Sequence, residues 1–173
     1  MKKLIAITIL TLLLTISCFA QIDTKGVEVK YDKFKDQTTV TLMLEMNIKL
    51  VPKEDLVFGS SSSFDGKKPT AIPDKLVFTF ISNSKIKQYE FSNSLIILAD
   101  DERIRLGDAK YIGGTSSFEP SEIMIYTVSL ENLKKIVAAK KVEMQLGKTE
   151  FALNDAQLSA VKEFYKQIIP QSN

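Results

Sequence analysis

The sequence contains no histidine and no tryptophan, and its only cysteine is Cys18. Without histidine there is no Ser-His-Asp triad, no imidazole general base and no histidine-ligated zinc or haem site. A chain with one cysteine forms no internal disulfide, so its folded domain must be held together by a hydrophobic core. These absences leave carboxylates, lysines, tyrosines and hydroxyl groups for any chemistry that the chain performs.

Glycine and proline are also scarce, with 7 and 5 residues among 173, whereas hydrophobic residues make up 45% and charged residues 25%. This composition is typical of a globular protein and excludes a collagen-like, low-complexity or disordered chain. The length suits one domain with a substantial core. We therefore predict a single α+β domain over residues 21–173.

Residues 1–20 have the pattern of a secretory signal peptide. Two lysines follow the first methionine and precede an apolar run at residues 4–16. The small residues Cys18 and Ala20 favour cleavage after Ala20. The apolar run is too short to span a bilayer comfortably. The sequence thus predicts an exported bacterial protein that resides in the periplasm or outside the cell.

A second processing route is open, because residues 15–18 (Thr-Ile-Ser-Cys) resemble a degenerate bacterial lipobox. Ser17 is acceptable before the cysteine, but Thr15 stands where leucine is usual. Lipidation of Cys18 would make the protein a membrane-anchored lipoprotein. This anchor is the only membrane association that the sequence predicts.

The charge of the mature chain argues against a nucleic-acid partner. Cleavage after Ala20 removes two lysines, which leaves 21 of the 23 basic residues against 21 acidic ones. Arg103 and Arg105 are the only arginines, although arginine is the residue that phosphate and base contacts favour. We therefore predict a protein or envelope component of unknown identity as the partner, and no cofactor.

Hydrophobic periodicity predicts mostly antiparallel strands. Apolar side chains occupy every even position from Val40 to Leu50, so residues 39–51 are expected to form a strand with one face on the core. Residues 26–31 alternate in the same way and should pair with that strand as a hairpin. Similar alternation predicts strands at 76–81, 86–91, 95–99, 103–106 and 123–128, and a hairpin over 142–153.

Helical spacing replaces the period of two in the C-terminal region. Ser129 is expected to cap a helix at about 130–140, and Asn154 and Gln157 have the spacing of a capping box for a second helix at about 154–168. We predict an α+β fold in which both helices cover one face of a mainly antiparallel sheet of about seven to nine strands.

Two segments, residues 59–69 and 107–121, are predicted to be long loops, and each contains Ser-Ser-Phe. Phe64 and Phe118 are isolated there among polar residues. Each side chain is expected to be either a plug on the core or an anchor for a partner. We take both as candidate partner contacts.

No motif predicts catalysis. Residues 82–85 (Ser-Asn-Ser-Lys) have the spacing of Ser-Lys acyl enzymes but fall in a predicted turn, and residues 147–149 (Gly-Lys-Thr) lack the rest of a phosphate loop. The acidic residues 100–102 lack the ligand spacing of a calcium loop and are expected to form a solvated turn. We predict no catalytic, cofactor-binding or metal-binding residue.

These observations favour an exported, non-catalytic binding or interaction module. A structural or accessory role in the bacterial envelope is one alternative. A secreted hydrolase that uses two carboxylates is another, and it requires a concave pocket that holds two carboxyl groups.

Mass spectrometry of the mature N-terminus distinguishes the two processing routes. Because the residues before Ala20 fit signal peptidase cleavage, we expect the mature chain to begin at Gln21 without a lipid. A chain that begins at a diacylated Cys18 would instead show that the protein is a lipoprotein.

Overall fold

The computed structural model describes residues 26–46, 48, 54–73, 76–84, 86–115 and 120–170. The predicted signal peptide, with Cys18 and Ala20, lies outside these residues, as does Phe118. The elements are β1 (Val27–Asp32), β2 (Gln37–Met46), β3 (Glu54–Asp65), β4 (Leu76–Ser84), β5 (Ser94–Ala99), β6 (Glu102–Asp108), β7 (Lys110–Thr115), β8 (Pro120–Val128), α1 (Leu130–Ala138), β9 (Val142–Leu146), β10 (Thr149–Ala152) and α2 (Asp155–Ile168).

The strands form two antiparallel sheets. Sheet A has the order β1-β2-β3-β4-β8-β7, and sheet B has the order β10-β9-β5-β6. The predicted α+β class, with antiparallel strands and two helices in the C-terminal region, is confirmed. The described strands number ten and are divided between two sheets, because the chain leaves sheet A after β4 and returns to it at β7.

Alternation of apolar and polar residues explains why one face of sheet A is buried. In β2, Val40, Leu42 and Leu44 point into the core, and the predicted hairpin with β1 is confirmed by the pairing of Val29 with Val40. The strand ends at Met46 in the structure, and most of its predicted continuation to residue 51 lies outside the described residues.

A chain of aromatic contacts connects the two sheets within a continuous core. Phe58 packs against Phe78 and Phe80 at ring-centroid distances of 4.9 and 5.0 Å. Phe80 in turn meets Tyr126 of sheet A and Phe151 of sheet B, each at 6.0 Å. Burial of these rings removes a large apolar area from water and holds the sheets against each other.

Helix α2 begins with the predicted capping box and packs on β2. The side chain of Asn154 accepts a hydrogen bond from the Gln157 backbone at 2.9 Å, and the Gln157 side chain accepts one from the Asn154 backbone at 2.9 Å. The Gln157 amide also donates to the backbone oxygen of Glu45 at 2.8 Å. The same side chain therefore caps the helix and ties it to sheet A.

The prediction of long loops at 59–69 and 107–121 was wrong for much of both segments. Residues 59–65 complete β3, because this stretch is paired with β2 along its whole length and its serines bond to neighbouring strands. Ser60 donates to the backbone oxygen of Val77 at 2.8 Å, for example. In the second segment, residues 110–115 form β7 at the edge of sheet A. Strand pairing on these stretches overrides the low strand propensity of serine and glycine.

The predicted strand at residues 86–91 is also absent. This segment is an irregular crossover from sheet A to sheet B, and Phe91 at its end is 96% exposed. Its backbone N–H groups at Gln88 and Tyr89 donate to the Glu122 carboxylate at 2.7 and 2.8 Å instead of to a neighbouring strand. A side chain on β8 thus replaces the hydrogen bonds of a strand ladder.

Glu122 is 1% exposed and accepts a third hydrogen bond, from the Tyr111 hydroxyl at 3.1 Å. Gly113 lies directly opposite Glu122 on β7, and a Cβ atom at this glycine would be 2.6 Å from the Tyr111 hydroxyl oxygen. The missing side chain therefore lets the Tyr111 ring lie across β7 and reach the carboxylate. Three donors offset the cost of burying this carboxylate.

Replacement of Glu122 by Gln is expected to lower the free energy of unfolding by about 2–3 kcal/mol, because the amide nitrogen cannot accept the backbone donors. In a domain of this size the melting temperature should fall by roughly 5–10 °C. The matched control is Glu131→Gln, since the Glu131 side chain is 78% exposed and forms a surface ion pair. Equal melting temperatures for the two variants would contradict the role of Glu122.

Tyr111 should titrate well above an ordinary tyrosine. Desolvation and the hydrogen bond to Glu122 raise its pKa to about 12, so the protonated phenol stabilises the fold. Because the folded-state pKa is the higher one, this stabilisation is complete below about pH 10 and is lost as the pH rises through about 12. The difference in tyrosinate absorbance between the wild type and Tyr111→Phe measures this pKa, and a midpoint near 10 would refute the contact.

Candidate functional site

On the outer face of sheet B, which points away from the core, acidic and basic side chains lie on opposite sides. Two rows run across the strands from β9 through β5 to β6. Gln145, Ile96 and Arg105 lie side by side in one row, and Glu143, Leu98 and Arg103 do so in the other. On β10, Glu150 extends the first row beyond Gln145. Acidic groups therefore lie at one side of an apolar strip and both arginines lie at the other.

An open hollow of about 410 Å³ lies on this face. Its volume falls in the range of small-molecule sites, which combine apolar walls with a few polar groups. The residues that line it come from all four strands of sheet B: Ile96, Leu98, Arg103, Glu143, Met144, Gln145, Glu150, Phe151 and Ala152.

The two arginines have no hydrogen bond or ion pair within the described part of the chain. Glu143, by contrast, pairs with Lys141 at 3.0 Å, and Glu150 accepts a hydrogen bond from Gln145 at 2.8 Å. Arg103 and Glu143 lie about 10 Å apart across the sheet, two strand spacings. The intervening Leu98 keeps them from neutralising each other, so the guanidinium groups face the solvent with their donors free.

This arrangement is suited to binding and poorly suited to acid-base catalysis. Glu143 and Glu150 do bring two carboxyl groups to one hollow, which is what the hydrolase alternative requires. However, the Glu143 side chain is 44% exposed, and Glu150 is exposed as well. General acids in glycoside hydrolysis rely on an enclosed, apolar setting, which neither carboxylate has.

Of the two aromatic candidates, Phe64 lies in the part of the chain that the structure describes. Phe64 is half-buried in β3, pairs with Thr38 and packs against the edge of the core. Phe118 lies outside the described residues.

The described residues of the remaining motifs lie in turns or strands. Asp100 accepts hydrogen bonds from the backbones of Lys140 and Lys141 at 3.0 and 2.9 Å and thereby holds the connection between α1 and β9. Ser82 is fully buried on β4, whereas Lys85 lies outside the described residues. Gly147 begins the tight turn of the β9–β10 hairpin and has a φ of +57°.

The described ranges hold neither a cluster of metal ligands nor a helix that could cross a membrane. Across these ranges, no three His, Cys, Asp or Glu residues are placed to hold a metal ion. Neither helix that the structure describes has the length and apolarity needed to cross a membrane.

Sequence reasoning missed the hollow because its parts come from separate hairpins. The sequence does carry one usable signal, which is that both arginines of the chain occur two residues apart on a predicted strand and so share a face. The acidic side could not be placed, since β9 and β10 follow β6 by more than thirty residues and their pairing with β5 depends on the whole topology.

Comparisons with known proteins identify no similar protein. The chain matches no protein-family model, no curated protein and no solved structure.

Proposed function

We propose that the mature chain is an exported, non-catalytic binding module whose ligand site is the hollow on sheet B. The export step rests on the signal-peptide pattern of residues 1–20. The observation that carries the binding role is Arg103, which lines the hollow without a partner among the described residues, with Arg105 beside the same apolar strip.

The ligand class follows from the chemistry of that pair. Arg103 and Arg105 project from one strand beside Leu98 and Ile96, so a carboxylate can meet a guanidinium while an adjacent apolar group covers the strip. Guanidinium groups bind carboxylates through two parallel hydrogen bonds, which gives both strength and direction. We therefore assign the site to ligands that carry a carboxylate next to an apolar group, such as acidic peptide segments.

A hydrolase that uses Glu143 and Glu150 is the second candidate, because both carboxylates border the hollow. It predicts that a Glu143→Gln, Glu150→Gln double variant loses hydrolytic activity toward glycosides, whereas the binding module has no such activity to lose. The exposure of both carboxylates favours the binding module.

Calorimetry with two matched peptides tests the binding role. We expect acetyl-Leu-Glu-Leu-amide to bind the mature chain and the neutral acetyl-Leu-Gln-Leu-amide to bind at least tenfold more weakly. Arg103→Gln should weaken binding of the acidic peptide by about 10- to 100-fold, since a charge-assisted bond is lost.

The matched control is Lys33→Gln, which removes a positive charge from the turn between β1 and β2. This variant should bind the acidic peptide as the wild type does. Equal affinity for both peptides, or equal loss in the Arg103 and Lys33 variants, would show that only net charge matters and would refute the site.

A further inference from the structure

Sheet A presents an apolar row to the solvent on the face opposite to the core. Val57, Ile81, Ile123 and Ile112 lie directly opposite one another on β3, β4, β8 and β7. Ile112 is 47% exposed, and Met43, in the next row on the same face, is 52% exposed. A contiguous apolar patch of this kind on a soluble domain marks an interaction surface.

We propose that this outer face of sheet A binds the same face of a second copy of the chain, which makes the mature protein a two-fold symmetric dimer. Sheets commonly pack face to face about 10 Å apart, with apolar side chains between them. A two-fold interface pairs a patch with itself, so the patch must be self-complementary. The proposal does not depend on the ligand site on sheet B.

The shape of the face is self-complementary about β4. This strand is the middle one of the run β2-β3-β4-β8-β7, so a two-fold axis along β4 places β3 over β8 of the second copy. Ile125 of β8 shares a row with Gly59 of β3. The Met43 sulfur lies 3.2 Å from the position that a Gly59 Cβ atom would take, so in the dimer the Ile125 side chain lies over Gly59 and packs against Met43 of the second copy. Ile81 meets its own copy at the axis.

The charges of the face select the same axis. Glu45 lies at the β2 side and Lys110 at the β7 side, about 19 Å apart within one copy, and neither has an ion pair in the part of the chain that the structure describes. The axis along β4 places Glu45 over Ile112 of the second copy, one row or about 7 Å along the strand from the other Lys110, which the long lysine side chain can span. An axis across the strands would instead place Glu45 beside its own copy, where like charges repel.

The area of the face is adequate for a specific dimer. Five strands at about 4.8 Å spacing and about eight residues along each strand cover roughly 650 Å² per copy. This value is close to the ~800 Å² that each partner contributes to a standard interface.

Sedimentation equilibrium of the mature chain at about 100 μM should give twice the chain mass. Ile81→Lys places two charges at the axis and should raise the dimer dissociation constant at least 100-fold. The control is Val29→Lys, since Val29 is an exposed β-branched residue of sheet A, 51% exposed, that shares the opposite face with Val40. A monomeric wild type, or a dimer that both variants weaken equally, would overturn the proposal.

A charge exchange tests the arrangement with residues that are exposed and so do not threaten the fold. Glu45→Lys and Lys110→Glu should each weaken the dimer about tenfold, because two contacts per dimer become repulsive. The double variant should recover wild-type affinity. Within one copy the two sites are too far apart to couple at ordinary salt, so recovery shows an intermolecular pair, and failure to recover refutes it.

Discussion

The buried carboxylate of Glu122 holds the crossover between the two sheets, and the placement of sheet B on sheet A depends on it. Residues 86–93 leave β4 and lead into β5 with two backbone donors attached to Glu122. From this fixed position the Tyr89 hydroxyl donates to Thr149 of β10 at 3.2 Å, and Tyr126 donates to the backbone of Asn93. One acidic side chain on β8 therefore takes the place of a strand partner and determines where the chain enters the second sheet.

Local patterns predicted the elements whose structure depends on local sequence, such as the alternation in β2, the β1–β2 hairpin and the capping box of α2. They failed where distant partners decide the backbone. Residues 59–65 are serine-rich but form a strand, because β2 pairs with them along their whole length. Residues 86–91 alternate between apolar and polar side chains but form no strand, because Glu122 accepts hydrogen bonds from two of their backbone N–H groups. Strand pairing and buried side-chain acceptors depend on tertiary contacts, which a window of neighbouring residues does not contain.

The near-neutral charge of the chain conceals a local separation of charge. On one side of sheet B, Glu143 pairs with a lysine and Glu150 accepts a hydrogen bond from a glutamine amide. Both arginines lie on the other side, and Ile96 and Leu98 lie between the two groups. The spacing of Arg103 and Arg105 indicated a shared face, but only the assembled sheet shows which side chains border them. The proposed binding site is therefore less predictable from sequence than the fold, since it is built from two hairpins, β5–β6 and β9–β10, that are more than thirty residues apart in the chain.

The position of β8 beside β4 has a consequence for the order in which the protein folds. Their pairing joins residues 76–84 to residues 120–128, so it encloses β5, β6 and β7 in one long loop. Closing such a loop costs more chain entropy than forming a hairpin between successive strands. We therefore expect the local hairpins to form early. The two sheets should reach their final arrangement when β8 pairs with β4, which brings Glu122 within hydrogen-bonding distance of the crossover.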